Sequence, residues 1–219
     1  MTKEEYLERK NKEEDWAPGW DAIEEEFDRL YPGMNPDHFA TNFEARAMFG
    51  GNNYLDGYSI YTNDKGYKHI VTFGMSELYV DEEAFGGEYS KWGYEMTVKI
   101  KAEKSQDCMW VLDMLSNIAR YTFESKKYFE AGQAMPGDGK SIHTGTDSKI
   151  TALMVVNDTT AQTQNTVHGK VEFLQFVGLT TNEMNAIRED YSNFEIILNK
   201  MKVDNPELVL DMDRTKEYI

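Results

Sequence analysis

The sequence predicts an α+β fold: one mixed, mainly antiparallel sheet flanked by helices. Three observations carry this. The stretch GYEMTVKIKAEK alternates Tyr94, Met96, Val98 and Ile100 with Glu95, Thr97, Lys99 and Lys101, the two-residue period of a half-buried strand. MWVLDMLSNIARYTFESKKYF instead repeats apolar residues at helical spacing, with Val111, Met114, Leu115, Ile118 and Thr122 on one stripe and Tyr121 and Phe129 beside it. In GLTTNEM, Thr180 precedes Glu183 by three residues, the pattern of a capping box, and Leu179 and Met184 flank it as a hydrophobic staple.

Residues 1–16 are dense in Glu and Lys with little to bury, and read as a charged tail or a frayed helix. Order is expected from APGW onward, as a single domain over 17–219. There Trp20, Ile23, Phe27 and Leu30 give a helix one apolar face, and YPG ends it. Strands are expected in NFEARAMF, GYSIYTN and HIVTFG, where alternating, β-branched or aromatic residues are bounded by turn formers. After the long helix, SKITALMVV and KVEFLQFVG read as two further strands divided by NDTTAQTQNTVHG. YSNFEII offers a second capping box, Ser192 with Glu195, and LVLDMDR reads as a last strand.

Composition excludes several functions. A formal charge of -16, from 39 acidic against 23 basic residues, repels phosphate backbones and anionic lipid, so neither direct nucleic-acid nor membrane binding is expected. It suits a basic protein partner, though acidic charge also serves solubility alone. A single cysteine, Cys108, a charged N-terminus without an apolar h-region, and no long apolar run point to the cytoplasm. His38, His69, His143 and His168 form no HxH or HExxH unit, so no metal site is expected, and the sequence calls for no cofactor. No GxSxG elbow marks a serine nucleophile.

One stretch invites a different reading. AMPGDGKS, Ala134 to Ser141, spells a phosphate-binding loop, and a nucleotide-binding protein or enzyme built on it is the alternative. Such a loop must follow a buried strand and open into a helix whose amides hold the phosphates. Here it follows the long helix and runs into IHTGTDS, which has no helical period, and Asp138 puts an anion among the phosphates. A glycine-rich connection is the better reading.

Taken in order, APGWDAIEEEFDRLYPG, GGNNYLDGYSIYTN, HIVTFGMSELY, GYEMTVKIK, LSNIARYTFES, GKVEFLQFVGLTTNEMNAI and LDMDR resemble the N-terminal domain of the suppressor of fused family. The resemblance runs from about Ala17 to the C-terminus. It implies a non-enzymatic protein-binding domain; the animal protein holds a transcription factor in the cytoplasm by clamping a peptide between this domain and a second one. A chain without that second domain is expected, similar to compact bacterial members, many of which lie in toxin-immunity loci. An immunity protein that neutralises a partner toxin, a basic one by the charge argument, is therefore expected. The family's groove residues correspond here to Tyr121 and Phe129, with Asp158 at the end of the strand SKITALMVVND. An acidic groove residue of the family falls at Gln133, so that contact is not retained.

Overall fold

The computed structural model describes residues 1–41 and 54–219. The expected strand NFEARAMF lies outside them. Among the described residues one eight-stranded sheet runs in the order β1-β2-β3-β4-β8-β6-β5, with β7 paired to β8. Its strands are β1 (Asp37–Ala40), β2 (Gly57–Thr62), β3 (Lys68–Phe73), β4 (Tyr89–Ile100), β5 (Ala134–Met135), β6 (Ile150–Asn157), β7 (Gln164–Thr166) and β8 (Gly169–Thr180). Every pairing is antiparallel except β4 with β8, where Met96 lies opposite Leu174. The sheet is thus mixed and mainly antiparallel, as the sequence predicts.

Helices cover both faces. On one lies α3 (Met109–Ser125), whose Val111, Leu115, Ile118 and Ala119 pack with Ile60, Ile70, Met96, Val98, Val155 and Phe176. Lys126 takes the left-handed conformation at φ 60° and ends α3 four residues short of the predicted limit at Phe129. On the opposite face are two separate apolar clusters. α2 (Pro18–Leu30) sets Ile23 and Phe27 against Tyr61, Val71 and Phe173. α4 (Thr181–Glu189) and α5 (Asn193–Asp204) cover Met154, Val156, Val177 and Leu179.

The expectation for β4 needs correction. Tyr94, Met96, Val98 and Ile100 do face α3, but Glu95, Thr97 and Lys99 do not face water: all three are fully buried. They form a polar seam between the α2 cluster and the α4–α5 cluster. Alternation of polar and apolar residues reports two faces, not which of them is wet.

The helix caps divide. The box at Thr180 forms, its hydroxyl accepting from the Glu183 amide at 3.2 Å while the Glu183 carboxylate accepts from the Thr180 amide at 2.8 Å. The one at Ser192 does not: Ser192 has helical angles, φ −59° and ψ −24°, and its side chain caps nothing. An N-cap must turn out of the helix to reach the N3 amide. LVLDMDR is likewise no full strand. It adds one parallel bridge, Ile100 to Leu210, held by Leu210 N donating to Lys99 O at 2.7 Å.

Residues 1–16 contain α1 (Lys3–Lys12), closed by a capping box between Thr2 and Glu5. What the charge density hides is Tyr6, which is fully buried, and Trp16, which packs on it with ring centroids 5.3 Å apart. Among the described residues no helix is long and apolar enough to cross a membrane.

Candidate functional site

The AMPGDGKS stretch places only Ala134 and Met135 in a strand, β5, at the edge of the sheet. The rest is open loop, and no helix follows Ser141. Lys140 has 84% of its side chain exposed and lies 3.8 Å from Asp138, while the Ser141 hydroxyl pairs with Thr146 at 2.8 Å. The amides that a phosphate would need are not gathered around a helix start. Gly137 has a packing reason to be glycine: a Cβ there would come within 2.0 Å of the Thr151 carbonyl oxygen.

Beside β5 lies a groove of about 610 Å³ lined by α3 residues Trp110, Met114, Ile118 and Tyr121, and by Met135 and Ile142 across from them. Trp110 and His143 stack with centroids 4.4 Å apart and planes at 6°, forming one wall. Tyr121 is 47% exposed and stands at the groove. Phe129 lies 6.0 Å from it, centroid to centroid, but is only 9% exposed and packs edge-on against Phe176. The structure thus brings Tyr121 and Phe129 together as a surface residue on a core support. Gln133 is tied to the sheet, its carbonyl accepting from the Val155 amide at 2.8 Å.

Asp158 sits apart from this pair, in the polar seam. Its Oδ2 accepts from Thr97 Oγ1 at 2.6 Å and His69 Nε2 at 2.9 Å; its Oδ1 accepts from the Thr160 and Ala161 amides at 2.8 and 2.9 Å. Lys99 Nζ lies 3.2 Å away, and both side chains are wholly buried. Burial alone would raise the Asp158 carboxyl, but His69, Lys99 and the Ala161 amide outweigh it and hold it well below the ordinary carboxylate range. Burial lowers Lys99, partly offset by Asp158. Ionised Asp158 is acceptor-only, so His69 donates from Nε2; Tyr31 OH stands at its Nδ1, 2.9 Å away. A carboxylate so fully engaged shapes the turn at 158–161 and has no lone pair facing solvent for a partner. Hence Asp158 is corrected from a groove residue to an interior one.

Sequence reading missed the rest of the seam: His69, Lys99, Glu95 and Gln175. Glu95 accepts from five donors, the Thr72 and Ser76 hydroxyls and the amides of Gly74, Met75 and Ser76, at 2.6 to 3.3 Å. Burial raises its carboxyl against the pull of those donors. A signal was present, since a lone Gln in FLQFVG and a Lys-His pair opening KHIVTF are polar interruptions in otherwise apolar strands. Only the packing of α2, α4 and α5 tells them from surface residues. No cluster of three or more His, Cys, Asp or Glu suited to a metal occurs among the described residues.

The segments that carry the sequence resemblance are stitched to one another. The FGMS loop wraps the Glu95 carboxylate of GYEMTVKIK. Arg214 of LDMDR donates to Glu183 of LTTNEM at 2.7 and 2.9 Å. Gly19 of APGW donates its amide to Leu78 O of SELY at 3.0 Å, and a Cβ there would lie 1.9 Å from Glu77 O. Gln175 of FLQFVG donates to the carbonyls of Glu207 and Leu208 at 2.9 and 3.2 Å.

An open sheet edge beside an aromatic groove, on a mixed sheet with a hydrogen-bonded polar seam, defines an α+β domain with one candidate binding face. The chain belongs to the suppressor of fused family, whose model, Suppressor of fused protein (SUFU), matches residues 51–215. Its relatives include the Suppressor of fused homologs of Homo sapiens and Mus musculus, each 30% identical over 214 residues and covering 90% of this chain. The chain spans 43% of the length of either. Among solved structures, a chain of the Sufu-Fu complex crystal structure matches with TM-score 0.77 at 26% identity, over 92% of this chain and 93% of that one. Drosophila Suppressor of Fused matches with TM-score 0.75 at 25% identity, over 92% and 51%. A SUFU homolog from Neisseria gonorrhoeae FA 1090 shares the fold, with TM-score 0.63 at 11% identity over 92% and 97%.

Proposed function

We propose that this chain is a non-catalytic protein-binding domain that takes an extended segment of a partner along the edge of β5, over the groove at Tyr121. The observation that carries it is the juxtaposition of the two features. Among the described residues β5 ends the sheet, and its outer edge is open to pairing by another strand. Next to that edge the groove offers apolar pockets for alternate side chains, with Tyr121 as a half-exposed aromatic anchor. Phe129 supports Tyr121 from below. Membership of the family supports the reading, as does the match to a chain of the Sufu-Fu complex.

The partner we infer is a basic protein, in the cytoplasm, and specifically a toxin that the domain neutralises as an immunity protein. The charge of -16 favours fast encounter with a cation-rich surface. Affinity capture from the native host, using the parent chain and Tyr121→Ala side by side, tests this. A basic protein recovered stoichiometrically by the parent and lost with Tyr121→Ala supports the reading. Equal recovery by both refutes the site, and an acidic or absent partner refutes the charge argument. Co-expression with the recovered protein then decides neutralisation: toxicity unchanged by this chain sinks the immunity role.

A further inference from the structure

The N-terminal helix is attached to the body by few groups, and one of them is a buried histidine. Tyr6 on α1 points its hydroxyl at His168 Nε2, 3.0 Å away, with both residues fully buried. His168 lies in the turn joining β7 to β8, and the same Nε2 faces the backbone amide of Asp81 at 3.5 Å. An amide can only donate, so Nε2 must carry the lone pair and Tyr6 donates to it as well. One unprotonated nitrogen is therefore the shared acceptor that joins α1, the segment at Asp81 and the β7–β8 turn. The remaining ties of α1 are at its surface: Lys3 Nζ donates to Glu82 O, and Lys10 Nζ to Glu82 Oε1, each at 2.5 Å. Phe85 packs on Tyr6 at 4.7 Å.

We propose that His168 is a proton-operated latch for α1: protonation of Nε2 converts the shared acceptor into a donor, breaks the contacts to Tyr6 and Asp81, and releases α1 from the sheet. Burial disfavours the imidazolium and lowers His168 from its ordinary value, against the opposing pull of the Glu77 carbonyl and the Asp81 carboxylate; Lys3, on α1 itself, also lowers it. The Glu77 and Glu82 carboxyls and the Tyr6 hydroxyl also lie on the packed elements: Lys10 holds Glu82 below the carboxylate range, while burial raises Glu77 and Tyr6, so the His168→Gln variant is what separates the histidine from Glu77. With the docked value below the undocked one, docking is complete above the ordinary histidine value of roughly 6.5 and weakens as pH falls beneath it. Release also withdraws Lys10 from a cleft of about 750 Å³ lined by Asp56, Glu77, Asp81 and Glu83, leaving that face more acidic.

Amide hydrogen exchange of the full chain, corrected for intrinsic rates between pH 8 and pH 5, tests the latch. The expected result is loss of protection over residues 3–12, by up to tenfold per pH unit below roughly 6.5, while β4 and β8 stay protected. His168→Gln keeps an acceptor but cannot titrate, so its α1 protection should be independent of pH. Should that variant fail to fold, Tyr6→Phe is the second probe: it should lower α1 protection at pH 8 and flatten the response to acid. The His168 imidazole resonance, followed by NMR, should titrate below its ordinary range. Protection of α1 that is constant with pH in the parent overturns the proposal. So does His168→Gln behaving as the parent does, or His168 titrating at its ordinary value while α1 remains protected.

Discussion

Replacing Asp158 by Asn removes one charge from the polar seam and leaves the other in place. Lys99 Nζ is wholly buried, with Thr159 Oγ1 at 2.6 Å, Thr160 Oγ1 at 2.9 Å and the Asp158 carboxylate at 3.2 Å. The two hydroxyls cannot neutralise it. Removing one member of a buried pair costs about 3–5 kcal/mol, because the surviving charge stays desolvated. The new amide nitrogen would also confront donors now aimed at a carboxylate oxygen. In a chain of this size about 2–4 °C is lost per kcal/mol, so the melting temperature should fall by roughly 6–20 °C. Urea unfolding of Asp158→Asn, Lys99→Met and the double variant measures it, and the double should be less destabilised than the two singles summed, by about 0.5–3 kcal/mol. Acid adds a signed check. The folded Asp158 carboxyl lies well below its unfolded value near 3.9, so its contribution is present above roughly pH 4 and is lost as pH falls toward the folded value. That loss should vanish in Asp158→Asn. A single-variant cost under about 1 kcal/mol, with additive singles, would refute the buried-pair argument.

Glu95→Gln should cost about 1–3 kcal/mol by chemical denaturation at pH 7, since a donor NH2 would enter a pocket of five donors. Because burial raises the folded Glu95 carboxyl, the parent should lose stability as pH rises from the ordinary carboxylate range through that folded value, and Glu95→Gln should not. Tyr121→Ala should weaken partner binding by about 2 kcal/mol or more in calorimetry and leave melting nearly unchanged, whereas Phe129→Ala should cost about 3–5 kcal/mol of stability. Gly137→Ala should destabilise the fold by about 1–3 kcal/mol through its clash with Thr151, seen as a lower melting temperature. Lys140→Ala should stay within about 0.5 kcal/mol of the parent, and neither protein should gain a thermal shift with Mg-ATP or Mg-GTP.

Periodicity and capping made much of the architecture legible in advance. The strands at GYSIYTN, HIVTFG, SKITALMVV and KVEFLQFVG, the helix over α3 and the Thr180 box are set by neighbours two to four residues apart, a range that sequence displays directly. Tyr121 was singled out only through the family resemblance; the structure leaves it half exposed at the groove. The second box failed because Ser192 and Glu195 satisfy the letters while the tight Asp190–Asn193 turn holds Ser192 helical. β1 and β5 were missed, being four and two residues long and paired to distant strands rather than shaped by their own pattern.

What the sequence determined by itself was the two-faced character of each element, the acidic charge, and a phosphate-loop spelling without the strand and helix that would make it function. What only the tertiary structure decided was the solvent. Lys99 and Glu95 sit on a face that local pattern marks as polar, yet α2 on one side and α4 with α5 on the other close over it. Whether such a residue meets water or a partner depends on contacts dozens of positions away, as Lys99 to Asp158 and Tyr6 to His168 show. The same closure put Asp158 in the interior, while Tyr121, on α3 across the sheet, stays at the groove, because burial belongs to the packed assembly of helices and not to any one segment.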